Sequence, residues 1–256
     1  MEHLAGFRSI KEWQQFSSAH PELFDPAKIR GMVEYLKSYG LLFRFDGRLY
    51  PPSEIEVAGD NYRESIRVRG LNVRQRAVLD LLAAWPPASE IWGLKILALE
   101  ALSHFALALR GRYPRFIGCE YVEDPVLRRS IYPVPAEDPM KLSFADSAFD
   151  CCIACELLER ISDPAATLRE AARILRPGGL ALATFPFLAG QQESLLKEVS
   201  SGDGAGVAVA RIPGWEILDW SRAAGFSDTE MVFFASQQRG IVTADCAGVF
   251  VLRCVR

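Results

Sequence analysis

The chain has 256 residues, half of them hydrophobic and 24% charged, with a net charge of −3 and an isoelectric point near 5.7. That balance excludes a general nucleic-acid binder, which needs a strongly basic face, while the length allows a sizeable core without disulfide staples. No run of about 18 apolar residues exists, because Lys95 and Glu100 interrupt the best candidate, and the amphipathic start MEHLAGFRSIKEW lacks a signal-peptide core; the expectation is a cytoplasmic protein with no membrane partner.

Residues 1–60 read as a small α+β appendage or lid. Apolar residues at helical spacing predict helices over 8–18 (Ile10, Trp13, Phe16) and 26–39 (Ile29, Val33, Leu36). Asp25-Pro26 opens the second and Gly40 closes it. LLFRFDGRLY alternates about an Asp-Gly turn, which signals a hairpin ended by Pro51-Pro52. Residues 61–89 form a basic connecting region. Its stretch NYRESIRVRGLNVRQR holds five arginines against one glutamate. That is either an anion-binding strip or, more commonly, a set of surface pairs beside a helix capped by Asn72 and closed by Pro86-Pro87.

From residue 90 strands and helices alternate. LKILALE (94–100), RFIGCE (115–120), AFDCCIAC (148–155) and LALATFPF (180–187) predict buried strands, and SHFALALRGRY predicts a helix between the first two. Residues 163–179 give the clearest helix: Asp163 caps it, Pro164 sits in its first turn, and Leu168, Ala171, Ile174 and Leu175 form one apolar stripe. Arg173 and Arg176 suit its negative end, and Gly178-Gly179 stops it. SGDGAG (201–206) reads as a loop and 213–226 as a helix, and TEMVFFA and GVFVLRCV as strands that pair antiparallel at a sheet edge. Such alternation implies a parallel sheet wound by right-handed crossovers, with ligands beyond the carboxyl ends of its strands. Cys152 and Cys155 form a CxxC, but on a strand they face opposite sides roughly 10 Å apart, so the six cysteines read as core thiols.

One ordered set of motifs spans residues 142–187. It runs Ser143-Phe144-Ala145-Asp146-Ser147-Ala148-Phe149-Asp150, then Leu158-Glu159-Arg160, Asp163-Pro164 and Leu175-Arg176-Pro177-Gly178-Gly179. The set resembles the class I S-adenosylmethionine (SAM)-dependent methyltransferases of the small-molecule type. The resemblance covers residues 90–256, the expected SAM-binding domain. It implies an α/β, Rossmann-like methyltransferase fold. The sheet would be mostly parallel and seven-stranded, with an antiparallel C-terminal edge pair, beside the small α+β N-terminal appendage. It also implies SAM as cofactor, no metal and a small-molecule substrate; a homodimer is left open. A subgroup near polysaccharide and natural-product pathways is similar in its glycine-poor first loop and in Glu120-Tyr121 after the second strand. That subgroup's upstream cysteines are replaced here by Ile66 and Arg69.

The resemblance assigns roles to particular residues. Glu120 would accept the two ribose hydroxyls, with Tyr121 beside it; Asp138 would meet the adenine amino group, and Met140 and Leu142 would pack near the purine. Glu100 would pair with the ammonium of the methionine end, and Ser103 would cap the helix whose amides suit its carboxylate. Ala101 stands in a turn that the family fills with glycine; there is no glycine between Gly93 and Gly111. A left-handed Ala101 would cost about 1–2 kcal/mol, and Leu102 is placed to block the methionine subsite. Glu156 and His104 are the candidate acid–base residues, and Arg160 occupies a position where the family often has histidine. The leading expectation is methyl transfer to an O, N or C acceptor. One alternative is an enzyme on this scaffold that cyclises SAM's own side chain with release of methylthioadenosine, or catalyses a rearrangement. Another is a non-catalytic binding partner. A nicotinamide enzyme lacks its GxGxxG here.

Overall fold

Seven strands form the main sheet in this computed structural model, which describes residues 1–85, 91–200 and 207–256. The N-terminal part runs β1 (Glu2–Phe7), α1 (Ile10–Ala19), α2 (Pro26–Tyr39), β2 (Leu41–Phe43), β3 (Arg48–Tyr50), β4 (Ile55–Val57), α3 (Tyr62–Ser65), β5 (Ile66–Val68) and α4 (Val73–Ala84). Then come β6 (Lys95–Ala98), α5 (His104–Arg112), β7 (Arg115–Gly118), α6 (Pro125–Ser130), β8 (Phe149–Cys155), α7 (Pro164–Ile174) and β9 (Leu175–Thr184). The chain ends with β10 (Leu195–Ser200), β11 (Val207–Ile212), α8 (Ile217–Ala223), β12 (Asp228–Ser236) and β13 (Val249–Val255). Pro86-Pro87, the expected boundary at 89/90 and the SGDGAG loop lie outside the described residues.

The sheet order is β1-β12-β13-β9-β8-β6-β7. β7, β6, β8 and β9 are parallel neighbours, whereas β13 runs antiparallel to β9 and β1 antiparallel to β12. β8 is buried along nearly its whole length, as befits a parallel strand covered on both faces. The mostly parallel sheet with a C-terminal antiparallel part is the expected fold class. The seventh strand is β1, at the edge beside β12; at the opposite edge, beyond β7, the described residues make one parallel bridge, Glu120 to Ala136. The start of the chain alternates in burial with period two, so it covers the otherwise open edge of β12.

Two compact units divide the chain. One comprises Met1–Phe7, Lys11–Ile91 and Met231–Val251. In it Trp13 packs on Phe7, Phe233 and Phe250. Asn72 caps α4 in a reciprocal capping box with Gln75. The arginine strip resolves largely into pairs: Arg63 and Arg74 on Glu64, and Arg69 beside Asp46. Arg76 departs from a surface role. It is fully buried and donates to the carbonyls of Ile66, Leu71 and Gly240, an arrangement no charge run announces.

The other unit comprises Arg8–Ile10, Trp92–Glu230 and Leu252–Arg256. Here α7 begins on Asp163, which accepts from the Ala166 amide, and buries Leu168, Ala171 and Ile174. It ends at Ile174, not at the glycines. Leu175 already belongs to β9, and Gly178, at φ +76, turns within that strand. A side chain at Gly179 would meet the Arg176 carbonyl at 2.8 Å and that of Asp150 at 3.2 Å. The glycine pair therefore lets β9 enter beside β8, and is not a helix stop. All six cysteines are free, and burial pushes the Cys152 and Cys254 thiols up to about 12. Among the described residues no helix is long and apolar enough to cross a membrane.

Candidate functional site

The carboxyl ends of β6, β7 and β8 lie side by side, and the turns leaving them carry most of the residues singled out above. After β6 the chain passes through Glu100, Ala101 and Leu102 to Ser103. The Ser103 hydroxyl accepts from the Ala106 amide, capping α5, and donates to Glu100 Oε2 at 2.7 Å. Glu120, just past β7, spans the gap to this turn. Its Oε1 accepts from the Ala101 amide at 2.8 Å and the Leu102 amide at 2.9 Å. A carboxylate on two backbone amides makes charge-assisted bonds, roughly twice as strong as neutral ones.

This arrangement explains how the turn dispenses with glycine. Ala101 is not among the left-handed residues, which outside glycine are Arg69, Ser147 and Glu156 among the described residues. Its methyl group is buried, whereas Leu102 is 65% exposed and turned to solvent. The space comes from the neighbouring strand: a Cβ at Gly118 would lie 2.9 Å from the Glu100 carbonyl oxygen and 3.0 Å from Ala101 Cα and Cβ. Sequence reading passed over Gly118 because it sits inside a strand. An isolated glycine at a strand end, opposite a glycine-free turn, was the signal available.

The segment after α6 completes this end of the sheet. Glu120 donates its amide to the Pro135 carbonyl, and Glu137 returns a bond to the Glu120 carbonyl. Residues 135–137 thus run alongside Glu120 as the remnant of an outer strand. Asp138 follows, its Oδ1 accepting from the Met140 amide so that it caps its own turn. Met140 is half-buried, with Ser162 Oγ 3.3 Å from its sulfur. The Tyr121 hydroxyl donates to Glu123, a bond that holds its proton and pushes it up to about 12. His104 opens α5 and is exposed.

At the end of β8, Glu156 has φ +51 and donates its amide to the Thr184 carbonyl. A non-glycine residue held in the left-handed region costs energy that the surrounding structure must supply, and such residues cluster at functional sites. The motif acids nearby have structural duties. Asp150 accepts from the Lys95 amide at 2.6 Å and pairs with Arg176, fixing the start of β6 against β8 and β9. Asp146 pairs with Arg173, which also holds Glu170 and the carbonyls of Leu142 and Phe144. Arg160, at the family's histidine position, is exposed.

The donor set suits an adenosyl group. The half-buried Glu120 carboxylate keeps Oε2 clear of the turn amides, as an acceptor for a vicinal diol. Ala101 is buried in the turn and the Leu102 side chain is exposed.

Residues 102–183 match the profile of the family described as "Methyltransferase domain". Among solved structures the chain is similar to an S-adenosylmethionine-dependent methyltransferase from Mesorhizobium loti, at 17% identity over 72% of this chain and 100% of that one, TM-score 0.48. It is similar to the 4+2 cyclase SpnF at 20% identity over 88% and 94%, TM-score 0.47. It is also similar to the 1,6-didemethyltoxoflavin-N1-methyltransferase of Burkholderia thailandensis, solved with S-adenosylhomocysteine bound, at 17% identity over 64% and 71%, TM-score 0.41. The profile match thus falls on the part of the chain that carries the ordered motifs and runs from the turn after β6 into β9.

Proposed function

We propose that the chain binds SAM across the carboxyl ends of β6, β7 and β8 and catalyses methyl transfer to an O, N or C atom of a small molecule, residues 90–256 forming the cofactor domain. The observation that carries this reading is the Glu120 carboxylate, which ties down the turn with one oxygen and leaves the other for the ribose hydroxyls. When bound, SAM supplies an electrophilic methyl group on a sulfonium. Around it Ser103 and Glu100 receive the methionine end, and Asp138, Met140 and Tyr121 border the adenine. Direct displacement depends on positioning and exclusion of water more than on covalent help from the protein. Glu156, at the end of β8, takes the proton from a protonated acceptor; His104, more exposed, is the second candidate for that role.

The test is calorimetric titration of SAM and S-adenosylhomocysteine into wild type, Glu120→Gln and Glu120→Ala. Glutamine keeps an oxygen for the turn amides but presents a donor to the ribose, so Glu120→Gln should lose about 1–3 kcal/mol of affinity without unfolding the turn. Equal affinity in wild type and Glu120→Gln removes the ribose assignment, and absence of binding to wild type removes the reading. Mass spectrometry of the SAM incubation separates the reactions. Methylthioadenosine formed without an acceptor indicates cyclisation and overturns methyl transfer, as does binding that never yields product with any acceptor class.

A further inference from the structure

A second cluster lies away from this turn. Among the described residues, His3, His20 and Glu22 bring one imidazole nitrogen each and a carboxylate oxygen to within 4.8 Å of one another, and all three are half-buried. Each arrives by a separate device. His3 stands on β1, opposite Ala235 on β12. His20 precedes Pro21, which starts the 3-10 turn Pro21–Phe24, and that turn carries Glu22 back until Oε1 is 2.9 Å from His20 Nδ1. The Phe16 ring packs 4.4 Å from that of His20 and 5.7 Å from that of His3, and the two imidazoles meet edge to face at 4.8 Å. A cleft of about 320 Å³ opens beside them, lined by Met1, His3, Glu22, Lys28, Met32 and Gln237.

We propose that His3, His20 and Glu22 form a binding site for one divalent transition-metal cation of the zinc class. Two imidazoles and one carboxylate are a donor set that zinc, cobalt and nickel accept, and hard alkaline-earth ions take less readily. Zinc at about 2.0–2.2 Å from each ligand needs donor atoms about 3.4 Å apart. The His20–Glu22 contact must therefore open slightly and the widest separation close by up to about 1.4 Å, a side-chain rotation that half-buried residues can make. Three protein ligands beside a cleft leave coordination positions open, the pattern of a site that takes a further ligand. The competing arrangement is an ion pair resting on an aromatic cluster.

The experiment uses the full chain, stripped with chelator and titrated with Zn2+ by calorimetry and with Co2+ by visible absorption. One equivalent should bind, with cobalt bands characteristic of four- or five-fold coordination and a rise in melting temperature. His3→Gln, His20→Gln and Glu22→Gln should each bind at least about tenfold more weakly while keeping the far-ultraviolet circular dichroism of wild type. No saturable binding to wild type overturns the site. So does binding that survives both His20→Gln and Glu22→Gln, which would place the ion on other donors, such as His3 with the terminal amine. Glu22→Gln, nearly isosteric, keeps the test valid if a histidine variant unfolds. SAM affinity is unaffected in every outcome, so failure here leaves the cofactor reading untouched.

Discussion

Gly118→Ala tests how the glycine-free turn is accommodated. The added methyl would lie 2.9–3.0 Å from the Glu100 carbonyl and from Ala101 Cα and Cβ, where ordinary contact begins at 3.4 Å. Two of these atoms are backbone and the third is a methyl on it, so relief requires the turn to move away from β7 by roughly 0.5 Å, an overpacking strain of about 1–3 kcal/mol. That movement also stretches the Ala101 and Leu102 bonds to Glu120, now 2.8 and 2.9 Å, toward the weak end of the hydrogen-bond range. Together these effects should cost about 2–4 kcal/mol in urea unfolding, and S-adenosylhomocysteine affinity should fall with them. Ala101→Gly removes one of the three clashing atoms, so the double variant should recover about 1 kcal/mol relative to the sum of the single changes. If Gly118→Ala unfolds within about 0.5 kcal/mol of wild type and binds the nucleoside equally well, the turn is not held by this contact and the reasoning fails.

Two other perturbations probe the scaffold. Burial pushes the Asp80 carboxyl up to about 6, against the pull of Arg239, the Phe45 amide and Arg76. Its native value lies above the unfolded one, so its stabilising contribution is full below about pH 4 and is lost as pH rises through 6, by up to about 3 kcal/mol. The stability of Asp80→Asn relative to wild type should therefore increase from about pH 4 to about pH 7; a flat difference in denaturation refutes the titration. Arg173→Ala removes bonds to Glu170, Asp146 and the carbonyls of Leu142 and Phe144, and should cost about 2 kcal/mol after allowance for its partial exposure. Arg173→Lys should recover only part of that, since an ammonium cannot fork to so many acceptors; equal stability of all three proteins would contradict the role.

The alternation of strands and helices after residue 90 was legible because each element carries its own period and its own stops. Asp163-Pro164 opens α7 by local hydrogen bonding, and buried parallel strands such as β8 are apolar on both faces. TEMVFFA and GVFVLRCV were readable as strands in the same way, and β12 and β13 are neighbours in the sheet. The glycines of the PGG motif misled for a specific reason. They follow a helix in sequence, but their duty is to let β9 pass the Asp150 carbonyl, a constraint set by another strand.

Local chemistry, then, fixed the helices α1, α2, α4, α5 and α7, the strands β6 to β9 and which acids stand at strand ends, since caps, turns and apolar spacing act over a few residues. Only the tertiary structure decided that residues 2–7 form an edge strand paired with residues 231–236, that Arg76 is a core residue and that Gly118 makes room for Ala101. It alone brought His3 to His20 and Glu22, and the Glu120 carboxylate to two amides on a different turn. Each of these depends on two groups distant in the chain competing for one volume or one proton, and no window of sequence contains both partners.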